Sequence, residues 1–373
     1  MPLYYQNFKI IYSHSQHLLM KKYLYLFAVA ILTGSCTKLP HITVNGRVEG
    51  LKDGVINIVD ISGNSIAGQN ITDGAVKIDT VFENPGYGVF VINKNGDKPQ
   101  EADVYLEAGE YTVNADAGHL ERYPAIKSSS ALQNELTAFY TTQDEVFLKA
   151  QGKVASQVKQ GDADIDGLKL KAFKQFIDKN PNSNAAAHLM LKMNYERDVE
   201  GYYAIFQKLN AGVKATEEGL FLQKKLSGMM KLLPGKDAPL VAGTTPDGKK
   251  FDKSALDKKV YVLDFWKAGN QVSRLNHQDM LSGMVKSLNP LKVGFISISL
   301  DNKKEWWTKA IADDKLNWTQ YSDLKGDESD NAEAWAITRI PTYYILNGKW
   351  QVIERDVTYD RIEFVVNDYL AHH

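Results

Sequence analysis

Apolar and polar positions change their period twice along this chain. From His41 to about Ser128 there are short alternating runs: ITVNGRV, VINIVDI, AVKIDTVF, YGVFVIN, ADVYLEAG and EYTVNAD. Turn signals at Asp53-Gly54, Asp73-Gly74 and Asn95-Gly96 divide them. Period-two alternation punctuated in this way predicts half-buried strands. Together they predict an antiparallel β-sandwich or open barrel.

From about Ala131 to Leu233 the spacing becomes helical, with Leu132, Leu136, Phe139 and Tyr140, then Phe173, Phe176 and Ile177. The polar stretch Gly152–Gly167 reads as a solvated helix end and loop. Asn180-Pro181-Asn182-Ser183 breaks the pattern, and Ser183 is expected to cap a helix over Asn184–Tyr195. Further helices are expected over Tyr202–Leu209 and Thr216–Leu232. His188 lies on one of these faces, where a core or surface histidine is the plain expectation and a lone ligand is not.

After Gly235 the two periods alternate. Strands are predicted at Val260–Trp266, Leu291–Leu300, Thr342–Leu346 and Trp350–Arg355. Helices are predicted at Asn270–Leu288, Lys303–Asp313, Ala332–Ala336 and Arg361–Leu370. Alternating β and α elements that close with a hairpin and a helix predict an α/β layer fold. The chain as a whole reads as multidomain α+β: a signal region over 1–35, a β-sandwich over 36–128, a helical linker domain over 129–234 and the α/β fold over 235–373.

Composition narrows the function classes. The 373 residues carry a formal net charge of −1 with no basic run, so the electrostatic footprint of a nucleic-acid binder is missing. There is one cysteine, Cys36, which leaves nothing for an intrachain disulfide or a thiolate metal site. No metal or cofactor is expected. Cys36 ends a segment that begins at Met20 with Lys21-Lys22, continues as the apolar run Tyr23–Leu32 and closes on Thr33-Gly34-Ser35. That is the order of a secretory signal, and it places the expected start at Met20. The segment resembles a bacterial lipoprotein signal, although Thr33 stands where leucine is usual. The resemblance implies that Cys36 becomes the lipidated first residue and makes the membrane a partner, since several acyl chains hold a protein firmly to a bilayer. Thr37-Lys38-Leu39-Pro40 lacks the acidic cluster used for surface export in Bacteroidetes-type envelopes, so a periplasm-facing outer-membrane anchor is expected. An ordinary signal peptide with an incidental cysteine is the plain alternative.

The stretch Lys259–Met280 carries the chemistry. A β-branched run ends in Phe265-Trp266 and feeds a helix start followed by Arg274. It resembles the active-site segment of thioredoxin-like proteins of the TlpA/ResA kind, in which FW precedes WCxxCR. The two cysteine positions hold Asn270 and Ser273. In that family the first cysteine sits at a helix N-terminus, where the dipole favours the thiolate. Asparagine caps the same helix start without a thiol, and neither an amide nor a hydroxyl passes electrons through a disulfide. Gly235-Lys236-Asp237-Ala238-Pro239 matches the family's opening motif, and Ile340-Pro341-Thr342 matches its cis-proline loop, so the resemblance covers 235–373. It implies that the residue before Pro341 offers its backbone to an extended peptide, with Trp266, Ile340, Pro341 and Thr342 as the candidate groove. It also implies that Asp264 is the buried acid that serves the resolving cysteine. Asn276 and Gln278 replace the family's glutamate and proline, so the helix is expected to have lost its acid and its kink.

The residues before 128 resemble the domain of unknown function that precedes thioredoxin-like domains in Bacteroidetes-type lipoproteins, with Leu106–Val113 carrying the likeness. Asp79-Thr80-Val81 fits an envelope O-glycosylation pattern. Ser273 and His277 form an i, i+4 pair, but no nucleophile elbow or orienting acid is apparent, and His277 is expected to be exposed. Trp306-Trp307 and Trp318 are expected in the core rather than in a ligand patch, and His372-His373 as a frayed tail. The reading is a lipid-anchored envelope protein whose redox-inactive domain binds or scaffolds a peptide, protein or small ligand. The alternatives are a thiol–disulfide oxidoreductase and a purely structural envelope component.

Overall fold

The structure is a computed structural model that describes residues 39–94, 97–158 and 164–373. Met20, Cys36 and the Asn95-Gly96 turn lie outside the described residues. Contacts divide the chain into two units, 1–220 and 221–373.

In the first unit, strands β1 (His41–Glu49), β2 (Asp53–Asp60), β3 (Ser65–Thr72), β4 (Ala75–Val81), β5 (Gly86–Lys94), β6 (Gln100–Leu106), β7 (Gly109–Asp116) and β8 (Ala125–Ser128) form one sheet. Its order is β6-β5-β2-β3-β4-β1-β7-β8. The alternation places Ile42, Val44, Ile56, Ile58, Val104 and Val113 on one face, in a single core to which all eight strands contribute. Two features depart from the sequence reading. Strand β1 runs parallel to β7, from Ile42 opposite Gly109 to Glu49 opposite Asp116, whereas an antiparallel sheet was expected. A residue-by-residue alternation fixes which face is buried but not the direction of the partner strand. Strands β3 and β8 were missed. In β3 only Ile71 is buried, so it lacks an alternating pattern, and β8 spans four residues.

Helix α1 (Ala131–Gln151) starts where Ser130 accepts the Gln133 N–H and ends where Gly152 adopts a left-handed conformation, its N–H donating to the Leu148 carbonyl. Helices α2 (Ile165–Lys179), α3 (Ala186–Leu191), α4 (Val199–Lys208), α5 (Ala211–Lys214) and α6 (Glu217–Met230) follow, and the boundary between the units falls within α6. Ser183 caps no helix. Its hydroxyl and the Ala185 N–H both donate to the Glu135 carboxylate, at 2.8 and 2.9 Å, so a long-range acceptor displaces the local cap.

The second unit is built on β9 (Val260–Trp266), all of whose residues are buried. The chain continues through α7 (Gln271–Asp279), β10 (Val293–Ser299), α8 (Lys304–Asp313), β11 (Thr319–Ser322), α9 (Asp330–Ala334), β12 (Thr342–Asn347), β13 (Val352–Val357) and α10 (Ile362–His372). The sheet order is β11-β10-β9-β12-β13. Strands β10 and β11 run parallel to β9, while β12 is antiparallel to it and β13 to β12. This is the thioredoxin-like arrangement expected for 235–373, with the edge strand β11 added. The opening motif lies along β13, where the Gly235 N–H donates to Val352 and the Ala238 N–H to Trp350. Helix α7 runs on through a π-helical turn at Met280–Met284 and a last α turn at Val285–Ser287. The backbone irregularity expected to vanish with the family's proline is therefore present, a little further along the helix. Among the described residues, no helix is long and apolar enough to cross a membrane.

Candidate functional site

The turn between β9 and α7 is held from below. The Ala268 N–H donates to Asp301 Oδ2 at 2.9 Å, and Asp301 in turn accepts the Ser299 hydroxyl at 2.7 Å. Arg274 reaches back to the Ala268 carbonyl at 3.3 Å and forks onto the buried Asp314 carboxylate. Hydrogen bonding to Asp314 pushes the guanidinium pKa up. These contacts fix the start of α7, where Asn270 Oδ1 accepts the Ser273 N–H at 2.8 Å as the N-cap. The expected cap is present.

Asn270 faces the loop at the far side of the site. The Ile340–Pro341 peptide bond is cis, and Asn270 Nδ2 donates to the Ile340 carbonyl at 3.5 Å. The amide that stands in the first cysteine position thus touches the backbone group that the resemblance assigns to peptide pairing. Ile340 and Pro341 are half-buried. The other two groove candidates sit deeper. Trp266 has no exposed surface, and Thr342 is buried with its hydroxyl donating to the Arg339 carbonyl at 2.7 Å. They support the surface from beneath and do not line it. Exposed apolar area comes instead from Val272 and Leu275 on α7, each 55% exposed.

Behind the helix start lies a buried polar cluster that the sequence reading divided wrongly. His277 is fully buried, not exposed, and its Nε2 sits 2.6 Å from Asp264 Oδ2. The orienting acid judged missing for His277 is therefore Asp264. The same carboxylate oxygen accepts the Ser297 hydroxyl at 2.8 Å, and Ser297 accepts the Trp318 indole N–H at 2.8 Å. Trp266 and Trp318 close the imidazole edge-on, with ring centroids at 4.7 and 5.9 Å. The short contact places one proton between Nε2 and Oδ2. His277 Nδ1, Asp264 Oδ1 and Ser273 Oγ are all buried without a partner. Asn276, in the family's glutamate position, donates to the Tyr343 hydroxyl at 2.9 Å. Burial, and then the proximity of Asp264, push the Tyr343 pKa well above the ordinary tyrosine range.

Serine, histidine and aspartate make up the components of a hydrolytic triad, but the geometry does not deliver one. Ser273 and His277 share no hydrogen bond, and none of the three side chains is accessible to a substrate carbonyl. The cluster is a buried acid–imidazole pair in the core, bonded through Asp264 Oδ2 and with its other polar atoms left unpartnered.

The remaining candidates fall as follows. Trp307 is buried as expected, while Trp306 is 54% exposed with the Lys303 ammonium 4.4 Å from its ring centre. His188 is a core histidine, 2.9 Å from Glu218 and stacked on Tyr87. Thr80 lies in β4 opposite Ile42. His372 and His373 are helical or helix-flanking, not frayed, with ring nitrogens on the Asp368 and Tyr369 carbonyls. Among the described residues, no group of three or more His, Cys, Asp or Glu is arranged to hold a metal.

No protein-family model matches the chain, and no curated protein matches it. Among solved structures, it is similar to a thiol-disulfide oxidoreductase from Bacteroides fragilis, with 24% identity over 36% of this chain and 99% of that one, at a TM-score of 0.34. It is also similar to the thioredoxin domain of a thiol-disulfide oxidoreductase from Bacteroides vulgatus, with 24% identity, 37% and 98% coverage and a TM-score of 0.34. A third is a thioredoxin-like protein from Parabacteroides distasonis, with 26% identity, 36% and 96% coverage and a TM-score of 0.30. The strand order and the cis-proline loop of the second unit are the chain's own features and do not depend on these likenesses.

Proposed function

We propose that this is an envelope protein, tethered through an acylated Cys36, whose thioredoxin-like domain binds an extended peptide or protein segment without exchanging disulfides. The observation that supports the reading is the meeting of Asn270 with the Ile340 carbonyl. The frame that presents a backbone edge to a peptide is in place, while the atom facing it is an amide nitrogen. A segment pairing with Ile340 replaces one long hydrogen bond, a small loss, and gains the apolar flank of Val272 and Leu275. A thiol–disulfide oxidoreductase would need sulfur at 270 and 273, and dithiol exchange has no equivalent in an amide and a hydroxyl.

The test uses the vacancy. Asn270→Cys with Ser273 unchanged supplies an attacking thiol and no resolving one, so a cysteine-bearing partner that docks there stays attached as a mixed disulfide. A discrete adduct from envelope preparations, released by a thiol reductant and not formed by the unmodified protein, supports the reading. A folded variant that forms no adduct counts against protein recognition at this surface. Reduction of insulin disulfides by the unmodified protein would overturn the non-redox reading outright.

A further inference from the structure

The first unit contains two adjoining cavities that the reading above does not use. One, of about 300 Å³, and the other, of about 370 Å³, share Asp103, Tyr140, Gln143, Ala155 and Ser156 in their walls. Each is near the lower size limit of small-molecule sites. Their charges are opposite. The first cavity adds Glu101, Glu121 and Asp144 against one cation, Arg122, whereas the second adds Lys169 and Lys192.

The groups at the junction are already committed. Asp103 binds the Lys192 ammonium and accepts the Tyr140 hydroxyl, and Tyr140 stacks on Tyr123 with ring centres 4.6 Å apart. Burial alone would raise the Asp103 pKa, but Lys192 and Tyr140 more than offset it and hold it below the ordinary value. Asp103, held by Lys192, is therefore a fixed polar group in the wall that the two cavities share. Asp144 accepts the Tyr123 N–H at 3.2 Å, and burial pushes its pKa up although that bond and the nearby Arg122 guanidinium pull it down. An ammonium seated beside Asp144 would add to what Arg122 supplies. At the other end Lys169 is half-buried and makes no ion pair among the described residues. Phe139 and Met193 give that cavity an apolar floor.

We propose that these two cavities bind a short free peptide in zwitterionic form, its ammonium end toward Asp144 and Glu101 and its carboxylate toward Lys169. A single amino acid holds its two charges one carbon apart and cannot occupy both cavities. A peptide of a few residues separates them and lays its backbone past Gln143 and Tyr140.

Titration calorimetry of the full chain with trialanine, N-acetyl-trialanine and trialanine amide tests the assignment. Trialanine is expected to bind saturably, and each capped form about tenfold more weakly, because each loses one charge-assisted contact. Lys169→Gln should abolish the preference for trialanine over its amide and keep the preference over the acetylated form. Asp144→Asn, which retains an acceptor for the Tyr123 N–H, should do the reverse. Hydrogen exchange over residues 100–193 confirms that both variants are folded. The proposal is overturned if trialanine does not bind at millimolar concentration, if capped and free forms bind alike, or if acetate or methylammonium alone binds as well as the peptide.

Discussion

Removing His277 tests whether the buried pair behind the helix start is structural in the sense argued. His277→Leu keeps much of the side-chain volume and leaves Asp264 with one hydrogen bond, from Ser297. Removing one partner of a buried acid–imidazole pair leaves the carboxyl group under-bonded in low dielectric and costs about 3–5 kcal/mol. Asp264→Val leaves His277 Nε2 and the Ser297 hydroxyl without their partner, at about 1–3 kcal/mol each. The double variant leaves neither member of the pair unbonded, only the Ser297 hydroxyl without its acceptor, and replacing both members of a buried pair with apolar groups is often close to neutral. The double variant should therefore be at least as stable as His277→Leu alone, with a coupling of more than about 1 kcal/mol, within the range found for residues in contact.

The assay is selective by composition. All six tryptophans lie between Trp266 and Trp350, so tryptophan fluorescence of the intact chain reports the second unit and not the first. Urea unfolding followed in this way gives a midpoint and slope for that unit within the whole protein. A domain of ordinary stability, about 5–15 kcal/mol, survives a 3–5 kcal/mol loss with a clearly lowered midpoint. Two single variants that each lose less than about 1 kcal/mol, or that add without coupling, would refute the claim that Asp264 and His277 act as a pair.

Other outcomes follow from single contacts. Asn270→Ala removes the cap on the Ser273 N–H and should lower the same urea midpoint by an amount equivalent to about 1 kcal/mol. Gly243 has φ +86°, and a Cβ there would lie 2.0 Å from the Ser322 carbonyl oxygen; Gly243→Ala should cost about 1–3 kcal/mol in strain, with a clash at the edge of β11 added to it. His188 is held below its ordinary pKa by burial, although Glu218 pulls the other way. The unfolded chain then binds a proton near about pH 6.5 while the folded unit does not, so stability is complete above that pH and falls as the pH drops through and below it. Hydrogen exchange in peptides around residues 186–208 should show less protection as the pH is lowered from neutral, after correction for intrinsic rates, and His188→Gln should flatten that dependence.

Much of the second unit was legible because its signals are local. A run of seven buried residues from Val260 to Trp266 admits few alternatives, and Asn270 is a strong N-cap type wherever a helix begins. The edge strand β11 was missed because Thr319-Gln320-Tyr321-Ser322 is short and mostly polar, yet three of its four residues are buried by the neighbouring layer. In the first unit, the pairing of β1 with β7 joins segments more than sixty residues apart, and no local pattern encodes it. Ser183 shows the same limit in a single side chain: its sequence context suggests a cap, and Glu135 takes it instead.

His277 is the instructive failure, because its signal was present. Ser273, His277, Met280 and Met284 are spaced by four, three and four, the stripe by which a helix faces its sheet. Met280 and Met284 pack with Val260 and Val262, and Asp264 is the next residue on that face of β9, two beyond Val262. Polar residues at core positions of a helix, opposite a polar residue at a core position of a strand, must be bonded to one another or be unsatisfied. Considered element by element, Asp264 was an acid without a task and His277 a surface residue; placed on facing layers, each explains the other. The resemblance assigns a buried acid at this place to the service of a thiol. Here the imidazole and the Ser297 hydroxyl both bond its Oδ2, so a site without sulfur can still hold its carboxylate, with Oδ1 left unpartnered.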